Sequence, residues 1–112
     1  MKQASPRIGR INDVLHKDLA ILIRDKCKDP RIGFVTITNV EVTNNLAFAR
    51  IYVTVLEDNK VEQSIEILNK AAGFLRTELS HMAILRIIPK LKFVYDGSVA
   101  SGKRIEELLS SV

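Results

Sequence analysis

The chain has 112 residues, a formal net charge of +4 and a single cysteine, Cys27. That length suffices for one domain with a buried core, and a lone cysteine excludes an internal disulfide, as is usual in a reducing compartment. No apolar run approaches the roughly 20 residues that span a bilayer, and no secretory signal follows Met1, so we expect a cytoplasmic protein.

The charges are unevenly distributed along the chain. Residues 1–28 carry seven Lys and Arg against three acids, and residues 69–104 carry seven against two, whereas residues 29–68 carry three against six. Two basic blocks around an acidic one predict a surface that faces a polyanion, provided that the fold brings the basic blocks together. Ordinary solvated surface charge is the alternative explanation of the same pattern.

The first predicted element is a helix that begins at Ser5-Pro6 and ends at Asp29-Pro30. Its apolar stripe consists of Ile8, Ile11, Leu15, Leu19 and Leu22. The opposite face carries basic residues along about 27 Å of helix, a length that suits a phosphate backbone. These residues, here called the first-helix ridge, are Arg10, Lys17, Arg24 and Lys28, with Arg7 near its start. Asp13 stands four residues before Lys17, and we expect it to weaken the ridge by pairing.

Three strands are predicted after this helix. Val35–Val42 is rich in β-branched residues, and a phase slip at residues 38–39 indicates a bulge or burial of both faces. Residues 43–45, Thr-Asn-Asn, predict a turn with asparagine at positive φ, so residues 48–55 return as the second strand of an antiparallel hairpin. A third strand follows Pro89 over residues 91–96, and a short helix is expected at residues 103–109. Three strands with one apolar face need helices stacked on that face, which predicts an α+β sandwich.

The stretch from Asn59 to Met82 has a helical apolar pattern with Gly73 in its middle. Asn59 and Glu62 together predict a capping box at its start. Glycine costs a helix interior about 1 kcal/mol relative to alanine, so the pattern permits either one long helix or two helices that meet at a glycine joint.

Four segments follow one another in order: DPRIGFVTI at 29–37, ARIYVTV at 49–55, LNKAAGFLR at 68–76 and PKLKFVYD at 89–96. Together they resemble the bacterial ribosome-binding factor A family, and the resemblance covers the chain from Ser5 to Leu109. It implies a type II KH-like α-β-β-α-kink-α-β sandwich with a three-stranded sheet and helices on one face, formed by residues 5–110 as one RNA-binding domain. In this family an Ala-x-Gly joint replaces the usual Gly-x-x-Gly loop, and Ala71, Ala72 and Gly73 match that joint.

The resemblance also implies a function and its partners. Family members assist late maturation of the small ribosomal (30S) subunit, contact its 16S rRNA and matter most in the cold. Many carry a charged C-terminal tail, whereas this sequence ends at Val112 without one. We therefore expect a non-enzymatic protein whose partners are the small subunit and its rRNA, and which is monomeric off the ribosome.

The candidate phosphate contacts lie around the joint. A bend at Gly73 exposes the N-terminal amides of the second helix, and Lys70 and Arg76 flank them. We expect Arg86, Lys90 and Lys92 to extend this positive surface. The alternative is that Gly73 only lets two helices pack closely. Of the six aromatic residues, Phe34, Phe74 and Phe93 are expected in the core, which favours recognition of RNA shape and backbone over base stacking.

Other sites are disfavoured by the chemistry of the residues. Residues 97–104 come within one residue of a Walker A loop, but Arg104 replaces the hydroxyl that ligates Mg²⁺. His16, His81 and Cys27 are too scattered along the chain for a metal site, and no nucleophile–base pair is evident. We predict no cofactor, no metal and no catalysis. The rival hypothesis is a protein-interaction module, because Val61–Met82 also matches three heptads of a coiled coil or partner-binding helix.

Overall fold

The computed structural model describes residues 6–27, 29–82 and 87–97. Its elements, in chain order, are α1 (Pro6–Lys26), β1 (Val35–Val42), β2 (Phe48–Val55), a 3₁₀ turn (Asp58–Lys60), α2 (Val61–Lys70), α3 (Ala72–Met82) and β3 (Lys90–Tyr95). The predicted order of helix, two strands, two helices and strand is confirmed. The short helix expected at residues 103–109 lies outside the described residues.

The three strands form one sheet in the order β1-β2-β3. β1 and β2 pair antiparallel, as predicted, with Val35 opposite Val55 and Val42 opposite Ala49. The register shifts between Ile37 and Asn39, so the phase slip in the sequence corresponds to a bulge. β3 runs parallel to β2, because the α2–α3 segment crosses over the sheet between them.

The turn between β1 and β2 forms where it was predicted, but its backbone differs from the expectation. The positive φ belongs to Leu46, at 61°, and not to an asparagine. The reason is that the Asn45 carboxamide oxygen accepts hydrogen bonds from the Thr43 hydroxyl at 2.7 Å and from the Ala47 amide at 3.1 Å. Asn45 thus closes the turn with its side chain, and the left-handed conformation is left to the next residue.

The core lies between the inner face of the sheet and the three helices. The whole predicted stripe of α1 is buried, as are alternate residues of each strand and three leucines of the α2–α3 segment, namely Leu68, Leu75 and Leu79. These three leucines are among the apolar heptad positions of Val61–Met82 on which the coiled-coil hypothesis depended. Because the sheet already covers them, they are not available as a seam for a second helix.

Three local expectations are wrong. The capping box does not form: Asn59 lies inside the 3₁₀ turn, Lys60 occupies the N-cap of α2 and no side chain caps that helix. Phe34 and Phe74 are exposed by 70% and 49%, so only Phe93 of the three phenylalanines belongs to the core. Phe34 precedes β1, and Phe74 lies beside Leu75, which takes the inward position of α3.

The helices of the described segments can also be compared with the length and hydropathy of a membrane span. None of them combines the length and the apolar character that a bilayer span requires.

Candidate nucleic-acid interface

The joint between α2 and α3 is a kink in the helical path. α2 ends at Lys70, α3 begins at Ala72, and Ala71 between them has φ −85° and ψ −2°. The Ala71 amide donates to the Ile67 carbonyl at 3.0 Å, and the Ala71 carbonyl accepts from the Leu75 amide at 2.9 Å. The chain is therefore kinked and not interrupted, which confirms the helix–kink–helix that the family resemblance implied.

Gly73 lies in the first turn of α3 with a negative φ, so the kink itself does not need a glycine. Apart from its chain neighbours and the backbone of its own helical turn, a Cβ built on Gly73 would have no described atom within 4 Å. The alternative that Gly73 permits close helix packing is therefore wrong. What the missing side chain does is leave the backbone at the start of α3 open to solvent, where the helix dipole favours an anion.

The two predicted cations at the joint have different surroundings. Lys70 pairs with Glu66 at 3.1 Å, and both side chains are mostly exposed, so the pair stabilises the fold by less than about 1 kcal/mol and leaves the ammonium accessible. Arg76 donates from Nε to the Ile88 carbonyl at 3.0 Å. This bond fixes the stem of Arg76 against the segment before β3, while the planar guanidinium keeps further donors for an anion.

An open cleft of about 720 Å³ lies beside the joint. We call it the joint cleft; its lining residues are Lys26, Cys27, Asp29, Pro30, Arg31, Ile32, Ile67, Ala71 and Phe74. The end of α1, the loop after it and the joint thus share one concave surface. A smaller adjoining groove brings Arg31 together with Glu66, Lys70 and Ala71. Burial raises the pKa of the Cys27 thiol, so that part of the wall stays uncharged at neutral pH.

Lys26 and Arg31 are cations of the cleft that the sequence analysis did not identify. The sequence signal that could have identified Arg31 was Asp29-Pro30, a turn-forming pair. In this turn the Ile32 amide donates to the Asp29 carbonyl at 2.9 Å. The Asp29 carboxylate accepts from the Arg31 amide at 2.9 Å and from the Arg31 guanidinium at 2.7 Å. These bonds lower the pKa of Asp29 to about 2 and hold the Arg31 side chain in one orientation beside the joint.

The rest of this loop is anchored to α2 and to the end of the hairpin. The Gly33 amide donates to the hydroxyl of Ser64, a fully buried side chain, at 2.9 Å. The Phe34 amide donates to the Glu57 carboxylate at 3.0 Å, which lowers the pKa of Glu57. A Cβ at Gly33 would lie 2.5 Å from Glu57 Oε2 and 2.8 Å from Val55 Cγ1, so the close approach requires a glycine. The loop is therefore a fixed wall of the joint cleft.

No described residue of the first-helix ridge lines the joint cleft. Arg7, Arg10, Lys17 and Arg24 are exposed on α1, as predicted. The expected Asp13–Lys17 pair is not among the ion pairs of the described residues, where Arg24 instead pairs with Asp25 at 3.1 Å. At 1.5 Å per residue, Arg10 lies about 24 Å along the helix from Lys26, which lines the cleft. Lys28 lies outside the described residues.

The remaining predicted phosphate contacts are not part of the joint surface. Lys90 and Lys92 are exposed on β3, whereas Leu91 and Phe93 between and beyond them are buried against the helices. Because side chains alternate across a strand, the two lysines lie on the opposite face of the sheet and do not extend the surface of the joint. Arg86 lies outside the described residues. Within the described segments, no three His, Cys, Asp or Glu side chains form a group that could hold a metal ion.

Comparison with known proteins places the chain in a family. The family model described as ribosome-binding factor A matches residues 7–109. The ribosome-binding factor A of Staphylococcus carnosus is 44% identical over 107 residues, which cover 95% of this chain and 93% of that protein. The chain belongs to the ribosome-binding factor A family.

Two structural comparisons show the same fold. The crystal structure of ribosome-binding factor A from Thermus thermophilus is 23% identical, has a TM-score of 0.70 and covers 79% of this chain and 94% of that one. A homology model of the Thermus thermophilus factor, fitted into the cryo-EM map of a 30S complex, is 25% identical with a TM-score of 0.62 and covers 72% and 86%. The α+β, KH-like fold of the ribosome-binding factor A family is thereby confirmed for this chain.

Proposed function

We propose that this protein binds the small ribosomal subunit and its 16S rRNA and assists late maturation of that subunit, including in the cold. In this proposal it acts in the cytoplasm as a monomer without catalysis, and residues 5–110 form one RNA-binding domain. Membership of the ribosome-binding factor A family supports the partner, because a relative is described in a complex with the 30S subunit.

The joint cleft is the observation that carries the proposed mode of binding. Its lining combines the cations Lys26 and Arg31 with the half-exposed ring of Phe74, and the adjoining groove adds Lys70. Gly73, the residue before Phe74, is exposed at the start of α3. Helix N-termini and cations are the usual protein partners of phosphate oxygens. We infer that a phosphate group of folded rRNA lies at the joint and that its neighbouring sugar or base contacts Phe74.

A protein without catalytic groups acts on assembly through differential affinity. If it binds the maturing arrangement of the rRNA more tightly than the finished one, it increases the population of the former until later steps weaken its site. The first-helix ridge adds phosphate contacts along α1 and increases this affinity without reading sequence.

The experiment is co-sedimentation of the full chain with small ribosomal particles at several salt concentrations. We expect the wild-type protein to travel with the particles and to be released as salt rises. The double variant Lys70→Glu plus Arg76→Glu should reduce the bound fraction and flatten the salt dependence. Glu66→Gln is the matched control, because it removes the carboxylate beside Lys70 and should leave binding unchanged or increase it. Wild-type protein that stays at the top of the gradient at low salt would contradict the function.

A further inference from the structure

The outer face of the sheet is a second surface with its own chemistry. Helices cover the inner face, whereas no described element lies over the outer one. Its exposed or half-buried side chains alternate with the core residues of the strands, and on the central and third strands they are Phe48, Arg50, Tyr52, Thr54, Lys90, Lys92 and Val94.

This face is positively charged. The eight, eight and six residues of the three strands contain three cations, Arg50, Lys90 and Lys92, and all three are exposed on it. Glu41 is the one carboxylate among the same strand residues. The register places Arg50 opposite both Lys92 and Glu41, so the cations form a compact group on neighbouring strands and not a random scatter.

The same face exposes aromatic rings next to these cations. Phe48 is 55% exposed and lies opposite Lys90 in the sheet. Arg50 donates from its guanidinium to the Tyr52 hydroxyl at 3.2 Å, which holds the two side chains together along β2. Phe48, Arg50 and Lys92 also line one groove of about 430 Å³. An exposed phenylalanine on the solvent side of a sheet adds nothing to the core, so its ring is available to a ligand.

We propose that this outer face binds a single-stranded RNA segment, with a base stacked on Phe48 and the backbone phosphates neutralised by Arg50, Lys90 and Lys92. Single strands are the fitting partner because their unstacked bases are free to lie on an aromatic ring, whereas the bases of a duplex are not. The net positive charge of the strands matches a polyanion. The inference rests on the proposed function only in taking RNA as the partner.

The proposal gives the protein two RNA surfaces with different ligands. The joint cleft lies on the helix side of the sandwich and contacts folded rRNA through its backbone, whereas the outer face of the sheet takes an unpaired segment. One molecule then holds a structured and an unstructured part of the same RNA, which is a way to fix their arrangement during maturation.

Fluorescence anisotropy with a labelled 12-nucleotide single-stranded RNA and a matching RNA duplex tests the inference on the full chain. We expect the single strand to bind more tightly than the duplex to the wild-type protein. Phe48→Ala should weaken single-strand binding roughly five- to a hundredfold, the effect of removing a ring on which a base stacks. Phe48→Leu keeps apolar bulk for folding and should weaken binding as well, because it removes the ring.

Matched variants distinguish the loss of stacking or of charge from a general loss of folding. Phe34→Ala removes a more exposed ring at the far end of the sheet, roughly 25 Å from Phe48 at about 3.3 Å per residue, and should leave binding unchanged. Lys90→Gln with Lys92→Gln should lower the salt dependence of binding by about 1.4 in logarithmic slope, since each phosphate contact on a single strand adds about 0.7. Glu41→Gln should strengthen binding.

The outcomes distinguish this inference from the proposed function. Failure of the wild-type chain to bind the oligonucleotide at low salt, or wild-type binding by the folded Phe48 and Lys90/Lys92 variants, overturns the inference whatever the particles do. The inference is also overturned if the Phe48 and Lys90/Lys92 variants bind the oligonucleotide fully but no longer bind the particles, because the outer face would then contact a protein. Oligonucleotide binding through Phe48 without co-sedimentation of the wild-type chain supports the inference and overturns the proposed function.

Discussion

Two glycines of this chain have opposite structural environments, and they give a direct test at the scale of single residues. Gly33→Ala should destabilise the fold by about 1–3 kcal/mol, because the new methyl group meets Glu57 Oε2 at 2.5 Å and Val55 Cγ1 at 2.8 Å. Gly73→Ala meets no described atom within 4 Å outside its own helical turn and should be neutral or stabilising by up to about 1 kcal/mol. Urea unfolding monitored by circular dichroism measures both. Equal stability of the two variants would contradict the close approach at Gly33.

Gly73→Ala also separates stability from binding. If the open backbone at the start of α3 holds a phosphate, a methyl group there should weaken co-sedimentation with small ribosomal particles while the unfolding midpoint stays the same or rises. Binding equal to that of the wild-type chain would remove Gly73 from the contact surface.

Low pH should destabilise the loop that forms one wall of the joint cleft. The pKa of Asp29 is lowered to about 2 by its bonds to Arg31, and the pKa of Glu57 is lowered by the Phe34 amide. Both carboxylates bind protons more weakly in the folded than in the unfolded chain, so their stabilising contribution is complete above pH 4 to 5 and is lost as pH falls through the folded values. Urea midpoints should therefore decrease between pH 4.5 and 2. Glu57→Gln should show a smaller decrease, and an identical decrease would contradict the role of Glu57.

At the scale of elements, α3 divides its apolar side chains between core and cleft. Leu75→Ala removes a fully buried side chain and should cost about 2–5 kcal/mol of unfolding free energy. Phe74→Ala, one position away, removes a half-exposed ring of the joint cleft and should cost less than about 1.5 kcal/mol while weakening particle binding. Unfolding and co-sedimentation of the two variants check the division. A larger loss of stability from Phe74→Ala than from Leu75→Ala would reverse it.

The elements were the part of the fold that the sequence predicted well. Apolar periodicity depends on one strand or helix at a time, so the stripe of α1, the alternation of β2 and the phase slip at the bulge were all readable. Phe74 was wrongly predicted to lie in the core, because its apolar character was given more weight than its place on the helix, where Leu75 takes the inward position. The kink at Ala71 was different, because periodicity permitted a straight helix and only the family resemblance favoured a break.

The positions of elements relative to one another were less predictable. The position of Arg31 in the cleft wall depends on its hydrogen bond to the Asp29 carboxylate. It also depends on the hydrogen bond from the Gly33 amide to Ser64, which lies 31 residues later in the chain. Lys90 was grouped with the joint because of its charge, although strand alternation directs it to the opposite face. The error at Lys90 was therefore avoidable from the local pattern, whereas the contact between Gly33 and Ser64 depends on how separate segments pack and no local pattern of residues encodes it.

At the scale of the whole molecule, the surface around the α2–α3 joint and the outer face of the sheet lie on opposite sides of the sandwich, so they should contribute independently to particle binding. Variants without shared contacts have additive effects on binding free energy to within about 0.3–0.5 kcal/mol, roughly a factor of two in affinity. We therefore expect the quadruple variant, Lys70→Glu, Arg76→Glu, Lys90→Gln and Lys92→Gln, to lose the product of the two double-variant fold-changes. Quantitative co-sedimentation of all four proteins at one salt concentration gives the cycle. A departure of tenfold or more would mean that the two surfaces act on one shared RNA site, and it would contradict the two-sided arrangement.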